Sequence, residues 1–267
     1  MDTYPSLKAA VDFINKLKNE FNWQISSRDT LMDIGCGKTF YCSQAIVNLF
    51  PDFKCLIAID KNADLLQWRP RENKRFENLH KSNIIKLLVA DVEDSTFFEN
   101  YIDSVDKIVS RNVLYHVKNK IKALRNIYKT LKPGGAAAIL FWLDNPIGTW
   151  TTEILSMRKW SSFVDDSKPR PPYFPSKYRE TYYRAEMEAL GCQDIHAVTK
   201  SIPCSYESDK ECLGELLEIV DDLINIPPTQ IKEFEEDCLD IFKGLVGCIN
   251  GGPITFNIME CFLHIVK

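Results

Sequence analysis

Four short apolar runs, each closed by a small polar or acidic residue and separated by helix-sized intervals, constrain this chain more than any other feature. Residues 31–34 carry Asp33 and run into Gly35-Cys36-Gly37. Residues 55–59 close on Asp60, residues 87–90 on Asp91, and residues 105–109 on Ser110. Runs of four to six apolar residues are too short for a buried helix and suit strands covered on both faces. Between and around them the period changes to that of a helix. Ala9, Val11, Phe13, Ile14, Leu17 and Phe21 line one face of residues 8–21, and residues 41–50 continue the pattern. Ile121, Leu124, Ile127, Tyr128 and Leu131 do the same in residues 118–131, where Lys132-Pro133-Gly134-Gly135 is expected to stop the helix and turn the chain into a fifth run at 136–143. Strand and helix alternating at this spacing imply βαβ crossovers and a parallel sheet.

From Asn145 onward the texture changes. Trp150, Trp160, Phe163, Pro169, Pro171, Pro172, Tyr173 and Phe174 crowd one stretch. Helices are expected at 178–190, ended by Gly191, and at 212–224 and 229–242. Strands are expected at 195–199 and within 254–266. The predicted architecture is α/β: a Rossmann-like, seven-stranded, mostly parallel sheet with helices on both faces and a helical cap inserted in the C-terminal half. All 267 residues are expected to form a single domain. In it, 1–145 is the cofactor-binding core, 146–252 the substrate-covering helices with a connecting strand, and 253–267 the final strand.

Composition bounds the function. Apolar residues at 45% and charged residues at 26% fit a globular protein. No apolar stretch reaches the roughly 18–20 residues that cross a bilayer. The first ten residues lack an apolar segment behind a basic one, so no secretory signal and a cytoplasmic location are expected. The net charge of -4 argues against nucleic acid as partner. The nine cysteines include no C-x-x-C pair, so no metal site is expected and most thiols should be buried in reduced form.

In an open parallel sheet, ligands bind beyond the carboxyl ends of the strands. The four polar closures all fall there. A dinucleotide fingerprint needs a third glycine three places after the second, where Phe40 stands. A phosphate loop needs a glycine five places before Gly37, where Met32 stands. A nucleoside without phosphates suits Asp33, two close glycines and an acid after the second strand. The plainer alternative for Asp60 and Asp91 is that each caps the helix that follows.

The ordered set Asp33-x-Gly35-x-Gly37, Asp60, Asp91, the 105–110 strand and Leu131-Lys132-Pro133-Gly134-Gly135 resembles the class I S-adenosylmethionine-dependent methyltransferases. The resemblance implies S-adenosyl-L-methionine as cofactor. It implies that Gly35 and Gly37 admit the methionine portion and that Asp33 helps hold its ammonium end. It further implies that Asp60 accepts from the ribose hydroxyls and Asp91 from the adenine amino group, with Val92 beside the ring and Ser110 at the fourth strand end. A narrower likeness runs through Phe141-Trp142-Leu143-Asp144-Asn145-Pro146-Ile147, Lys159-Trp160, Pro172-Tyr173-Phe174, Leu190-Gly191-Cys192 and Asn225-Ile226-Pro227. In these segments the chain is similar to arthropod juvenile hormone acid O-methyltransferases, which methylate the carboxylate of a lipophilic acid.

That likeness makes the expected partner a small apolar acid, taken by a monomer or homodimer. Trp142, Trp150 and Tyr173 are expected to contact this acceptor. Lys8 stands where that family places its carboxylate-holding glutamine and is expected to pair with an acidic group. His116 is expected to orient the acceptor or to act as base for a hydroxyl or amine. A methyltransferase for another small hydroxyl or amine, and a cofactor-binding homologue without catalysis, are the competing readings.

Overall fold

The computed structural model describes residues 6–67, 73–168, 172–248 and 253–267. Pro169 and Pro171 lie outside the described residues, as do the first five residues and 249–252. In chain order the elements are α1 (Leu7–Glu20), β1 (Thr30–Ile34), α2 (Tyr41–Leu49), β2 (Cys55–Asp60), α3 (Lys74–Lys81), β3 (Ile85–Val89), α4 (Ser95–Glu99), β4 (Val105–Arg111), α5 (Lys120–Thr130) and β5 (Leu131–Asp144). Then come α6 (Pro146–Ser156), α7 (Glu180–Leu190), β6 (Asp194–Tyr206), α8 (Asp209–Val220), α9 (Ile231–Val246) and β7 (Ile254–Val266). The seven strands form one sheet in the order β3-β2-β1-β4-β5-β7-β6. The pairs β1–β2, β2–β3, β1–β4 and β4–β5 are parallel, as the short apolar runs required.

The chain divides into two compact units. Unit 1 comprises Met1–Phe141, Tyr178–Val198 and Cys261–Lys267; unit 2 comprises Trp142–Lys177 and Thr199–Glu260. In unit 1, Ala10, Phe13, Ile14 and Leu17 of α1 pack with Ala45 and Ile46 of α2, Phe76 of α3, and Leu31, Leu56, Ala58, Val109 and Ala138 of the sheet. The alternate strand residues Met32, Ile57, Ile59 and Ile108 are also buried. Successive side chains leave opposite faces of a strand, so the central strands are covered on both sides. In unit 2, α6, α8 and α9 bury Trp150, Ile154, Leu216, Val220, Phe234 and Phe242 with Phe256 and Ile258 of β7.

Two elements depart from the sequence expectation. The Lys-Pro-Gly-Gly stretch, expected as a turn before the fifth strand, lies inside β5. Leu131 pairs with Val105 and Ala136 with Lys107, and the four residues between bulge out. Gly134 sits in the left-handed region (φ 76°), its N–H donates to the Lys267 carbonyl at 2.7 Å, and the Lys267 N–H donates to Gly135 at 3.0 Å. Pairing with the chain end keeps a segment in the sheet that local turn chemistry alone would release. Strand β6 runs from Asp194 to Tyr206, far beyond the expected 195–199, because its polar outer residues break the apolar pattern without breaking the ladder.

Candidate active site

The carboxyl ends of β1, β2, β3 and β4 build the candidate site, all within unit 1. The register sets Ile34 opposite Ile59, and Asp60 opposite Val89. The glycine turn after β1 therefore stands one strand from Asp60. Gly35 and Cys36 both donate their N–H to the Ile59 carbonyl, at 2.8 and 3.0 Å, which bends the chain over the end of β2. Gly37 then donates its N–H to Asp60 Oδ2 at 3.1 Å, and Asn62 donates to Asp60 Oδ1 at 3.0 Å. A carboxylate offers about four acceptor positions, so Asp60 is oriented by two N–H groups and still has capacity for further hydroxyl donors.

Both glycines are required, for different reasons. Gly35 and Gly37 have φ of 71° and 59°, a region side chains rarely adopt. A Cβ on Gly35 would run into the Val113 side chain, so the turn packs against the segment leaving β4. A Cβ on Gly37 would meet nothing within 4 Å. That open side, edged by an oriented carboxylate, fits the approach of a nucleoside to backbone.

Asp33 is not displayed on the rim. It is 1% exposed and accepts from Ser43 Oγ of α2 at 2.6 Å. Burial pushes its carboxyl from 3.8 up to about 6; the Ser43 hydroxyl and N–H oppose this, and the Asp60 charge adds to it. A desolvated anion of this kind favours a cation nearby. Asp91 is exposed and accepts from the Glu93 N–H at 2.8 Å in a local turn; the helix that follows, α4, is capped by Asp94, which accepts from the Thr96 N–H at 3.0 Å. Val92 beside it is buried, and its carbonyl accepts from Asn126 at 2.9 Å. Ser110 is fully buried and donates to the Ile34 carbonyl at 3.1 Å, tying β4 to β1. Its hydroxyl serves this strand pair.

Lys8 is exposed in the first turn of α1, after the Ser6 cap that accepts from the Ala9 N–H at 3.1 Å. His116 ends a 3₁₀ turn at Leu114–His116, half-buried, its ring centroid 3.9 Å from that of Tyr115. In unit 2, Trp142 is half-buried. Trp150 is fully buried and donates its indole N–H to the Cys238 carbonyl at 2.8 Å, which is the position of a core residue. Tyr173 is half-buried; its hydroxyl accepts from the Asn145 N–H at 2.7 Å, and its ring lies against Gly148. Arg111 and Asn112, at the exit of β4, were not foreseen from the sequence. Their only signal was an Arg-Asn pair directly after a strand expected to close on Ser110. Among the described residues no cluster of His, Cys, Asp and Glu is arranged to hold a metal ion, and no helix is long and apolar enough to cross a membrane.

Residues 25–144 match the methyltransferase domain family, a span that carries every strand end just described. The juvenile hormone acid O-methyltransferase of Drosophila melanogaster is 25% identical over 154 residues, 57% of this chain. The match spans half the length of that relative. The Bombyx mori protein of the same name is 22% identical over 239 residues, covering 89% of this chain and 81% of the relative. Among solved structures, Bacillus subtilis YcgJ superposes with a TM-score of 0.58 at 15% identity, over 97% of this chain and 98% of that one. Haemonchus contortus phosphoethanolamine N-methyltransferase 2, solved with S-adenosyl-L-methionine, superposes at 0.53 and 19% identity, over 96% of this chain and 52% of that one. These likenesses establish the Rossmann-like fold. The match to the methyltransferase domain family covers residues 25–144, less than half of the chain.

Proposed function

We infer that the chain is an S-adenosylmethionine-dependent methyltransferase, and we propose that its acceptor is the carboxylate of a small lipophilic acid of the juvenile hormone acid or farnesoic acid type. The observation that carries the cofactor assignment is the Gly37–Asp60 tie beside an open glycine. An oriented carboxylate beside an open glycine, in a turn without the phosphate-loop glycine, supports a ribose-bearing cofactor. The Haemonchus neighbour, solved with this same cofactor, supports the assignment. Two insect relatives named as juvenile hormone acid O-methyltransferases support the acceptor.

When bound, the cofactor supplies a methyl group activated on a sulfonium. The protein supplies binding and alignment. Asp60 takes the ribose hydroxyls, Asp91 the adenine amino group, and Val92 the face of the base. Asp33, desolvated within β1, favours the cationic amino-acid end. Ser110 keeps the β4 end in register with β1. A carboxylic acid of pKa near 4 is ionised at neutral pH and needs no general base. Orientation of the two partners is then the main demand on the site, worth roughly 7–11 kcal/mol in favourable intramolecular cases. Lys8 and His116 are proposed to orient the acceptor, and Trp142 and Tyr173 to contact its apolar body. Trp150 is not carried into the proposal, since its indole N–H is spent inside the unit 2 core.

The test is calorimetry with S-adenosylhomocysteine, followed by transfer of labelled methyl to a panel containing farnesoic acid and the alcohol and amine of the same skeleton. Labelling of the acid alone is expected. Cofactor binding with labelling of only the alcohol or the amine would replace the carboxylate acceptor, and binding without any turnover would indicate a homologue that has lost catalysis.

A further inference from the structure

The exit of β4 holds an unpaired polar cluster that the proposed site does not use. Among the described residues, the buried Nε of Arg111 meets no acceptor, and the side-chain amide N and O of Asn112 are buried without a hydrogen-bond partner. Buried polar atoms are nearly always satisfied, and three on adjacent residues point to a missing partner. No carboxylate pairs with Arg111 among the described residues. The Arg111 charge reaches the Tyr115 hydroxyl and the Cys42 thiol. Burial raises both, Tyr115 up to about 12, so both are neutral at pH 7. Neither of these two groups supplies a counter-charge.

Its place in the fold is specific. The β1–β4 register sets Asp33 opposite Val109, so Arg111 stands level with Gly35. The next turn places Val113 against Gly35. Asn112 holds the left-handed conformation (φ 59°), with its N–H donated to the Leu140 carbonyl at 2.8 Å. Its backbone is thus anchored while its amide is left over. Nε and an adjacent Nη of a guanidinium form a planar fork that matches the two oxygens of a carboxylate, and an amide N–H adds a third donor.

We propose that Arg111 and Asn112 form a carboxylate-binding pair beside the glycine turn. This rests on the methyltransferase reading above and extends it to residues that nothing else in the site uses. The carboxylate comes either from the acceptor acid or from the amino-acid end of the cofactor. Both sources present the same planar anion at this edge of the site.

Full-length wild type, Arg111→Met, Arg111→Lys and Asn112→Ala are titrated by calorimetry with three probes. These are S-adenosylhomocysteine, 5′-methylthioadenosine (which lacks the amino-acid end), and farnesoic acid in the presence of S-adenosylhomocysteine. Arg111→Met is expected to weaken one carboxylate-bearing probe by about 30-fold, the loss of a charge-assisted pair, with Arg111→Lys recovering part of it. Loss for S-adenosylhomocysteine but not methylthioadenosine assigns the cofactor's carboxylate. Loss for farnesoic acid with S-adenosylhomocysteine unchanged assigns the acceptor's. The proposal is overturned if every probe stays within about two-fold of wild type, below the effect of one hydrogen bond. Should Arg111→Met not fold, the Lys and Asn112→Ala variants decide by the same criterion. Failure of wild type itself to bind S-adenosylhomocysteine would count against the cofactor assignment rather than against the pair.

Discussion

Replacing Asp33 by Asn should stabilise the ligand-free protein while weakening cofactor binding. The carboxyl is 1% exposed, held by Ser43 Oγ at 2.6 Å, and raised from 3.8 to about 6 chiefly by burial. A raised acid pKa means that folding favours the neutral form. The stability this confers is complete below 3.8 and is lost as pH rises through about 6. At about 1.4 kcal/mol per pH unit, the gap corresponds to about 3 kcal/mol of strain from the ionised form at pH 8, and to about half of that at pH 5. Asn has no charge to desolvate, and its carbonyl can accept from Ser43.

Asp33→Asn should therefore exceed wild type in unfolding free energy at pH 8, and its advantage should shrink by roughly half at pH 5. Urea unfolding of both proteins at the two pH values measures this difference directly. Other titrating groups common to the two proteins cancel. Calorimetry with S-adenosylhomocysteine should show the opposite cost, a loss of about ten-fold or more, because a cationic ligand end loses its counter-charge. An advantage that does not change with pH, or a variant less stable at pH 8 than wild type, would refute the assignment of Asp33 as a desolvated carboxylate kept for binding.

Four further substitutions test single features of the fold. Gly37→Ala should cost about 1–2 kcal/mol from its left-handed φ and should impair S-adenosylhomocysteine binding out of proportion. Gly35→Ala adds a collision with Val113 and should lower the unfolding midpoint further; equal midpoints for the two variants would contradict the packing of the turn. His264 is 4% exposed, accepts from the Trp23 indole N–H at 3.0 Å, and is lowered by burial to about 4. Its contribution is present above 6.5 and declines as pH falls towards 4, by about 2 kcal/mol at pH 5. His264→Gln should flatten the stability profile between pH 5 and 7, and an unchanged slope would exclude this histidine as its source. Trp150→Ala should cost about 3–5 kcal/mol in urea unfolding, from lost burial plus an orphaned Cys238 carbonyl. A cost below about 1 kcal/mol would mean that Trp150 is not a core residue.

The outcome at individual residues shows how far local signals reach. The placement of Asp60 and Gly37 at one sheet edge was legible because it depends on strand endings and on a φ that only certain residues adopt. Both are local properties, and the parallel register carries them to the same edge. For Asp91 the sequence offered a cap or a ligand contact; the cap of α4 is Asp94 instead, and Asp91 holds a local turn through the Glu93 N–H while its side chain stays exposed. Trp150 was misjudged as an acceptor contact, since composition marks an aromatic-rich segment without saying which rings turn inward. The Lys-Pro-Gly-Gly stretch read as a stop, because its pairing partner, Lys267, lies at the far end of the chain.

The amino-acid order by itself determined the alternation of strand and helix, the parallel sheet, and the acids and glycines at its carboxyl edge, because these follow from periodicity and from backbone preferences within a few residues. Only the tertiary structure decided that Asp33 is desolvated beneath Ser43, that Trp150 is spent in a core, and that Arg111 Nε and the Asn112 side-chain amide are buried without a hydrogen-bond partner among the described residues. Burial and hydrogen-bond satisfaction are set by residues distant in sequence, and no local pattern records them.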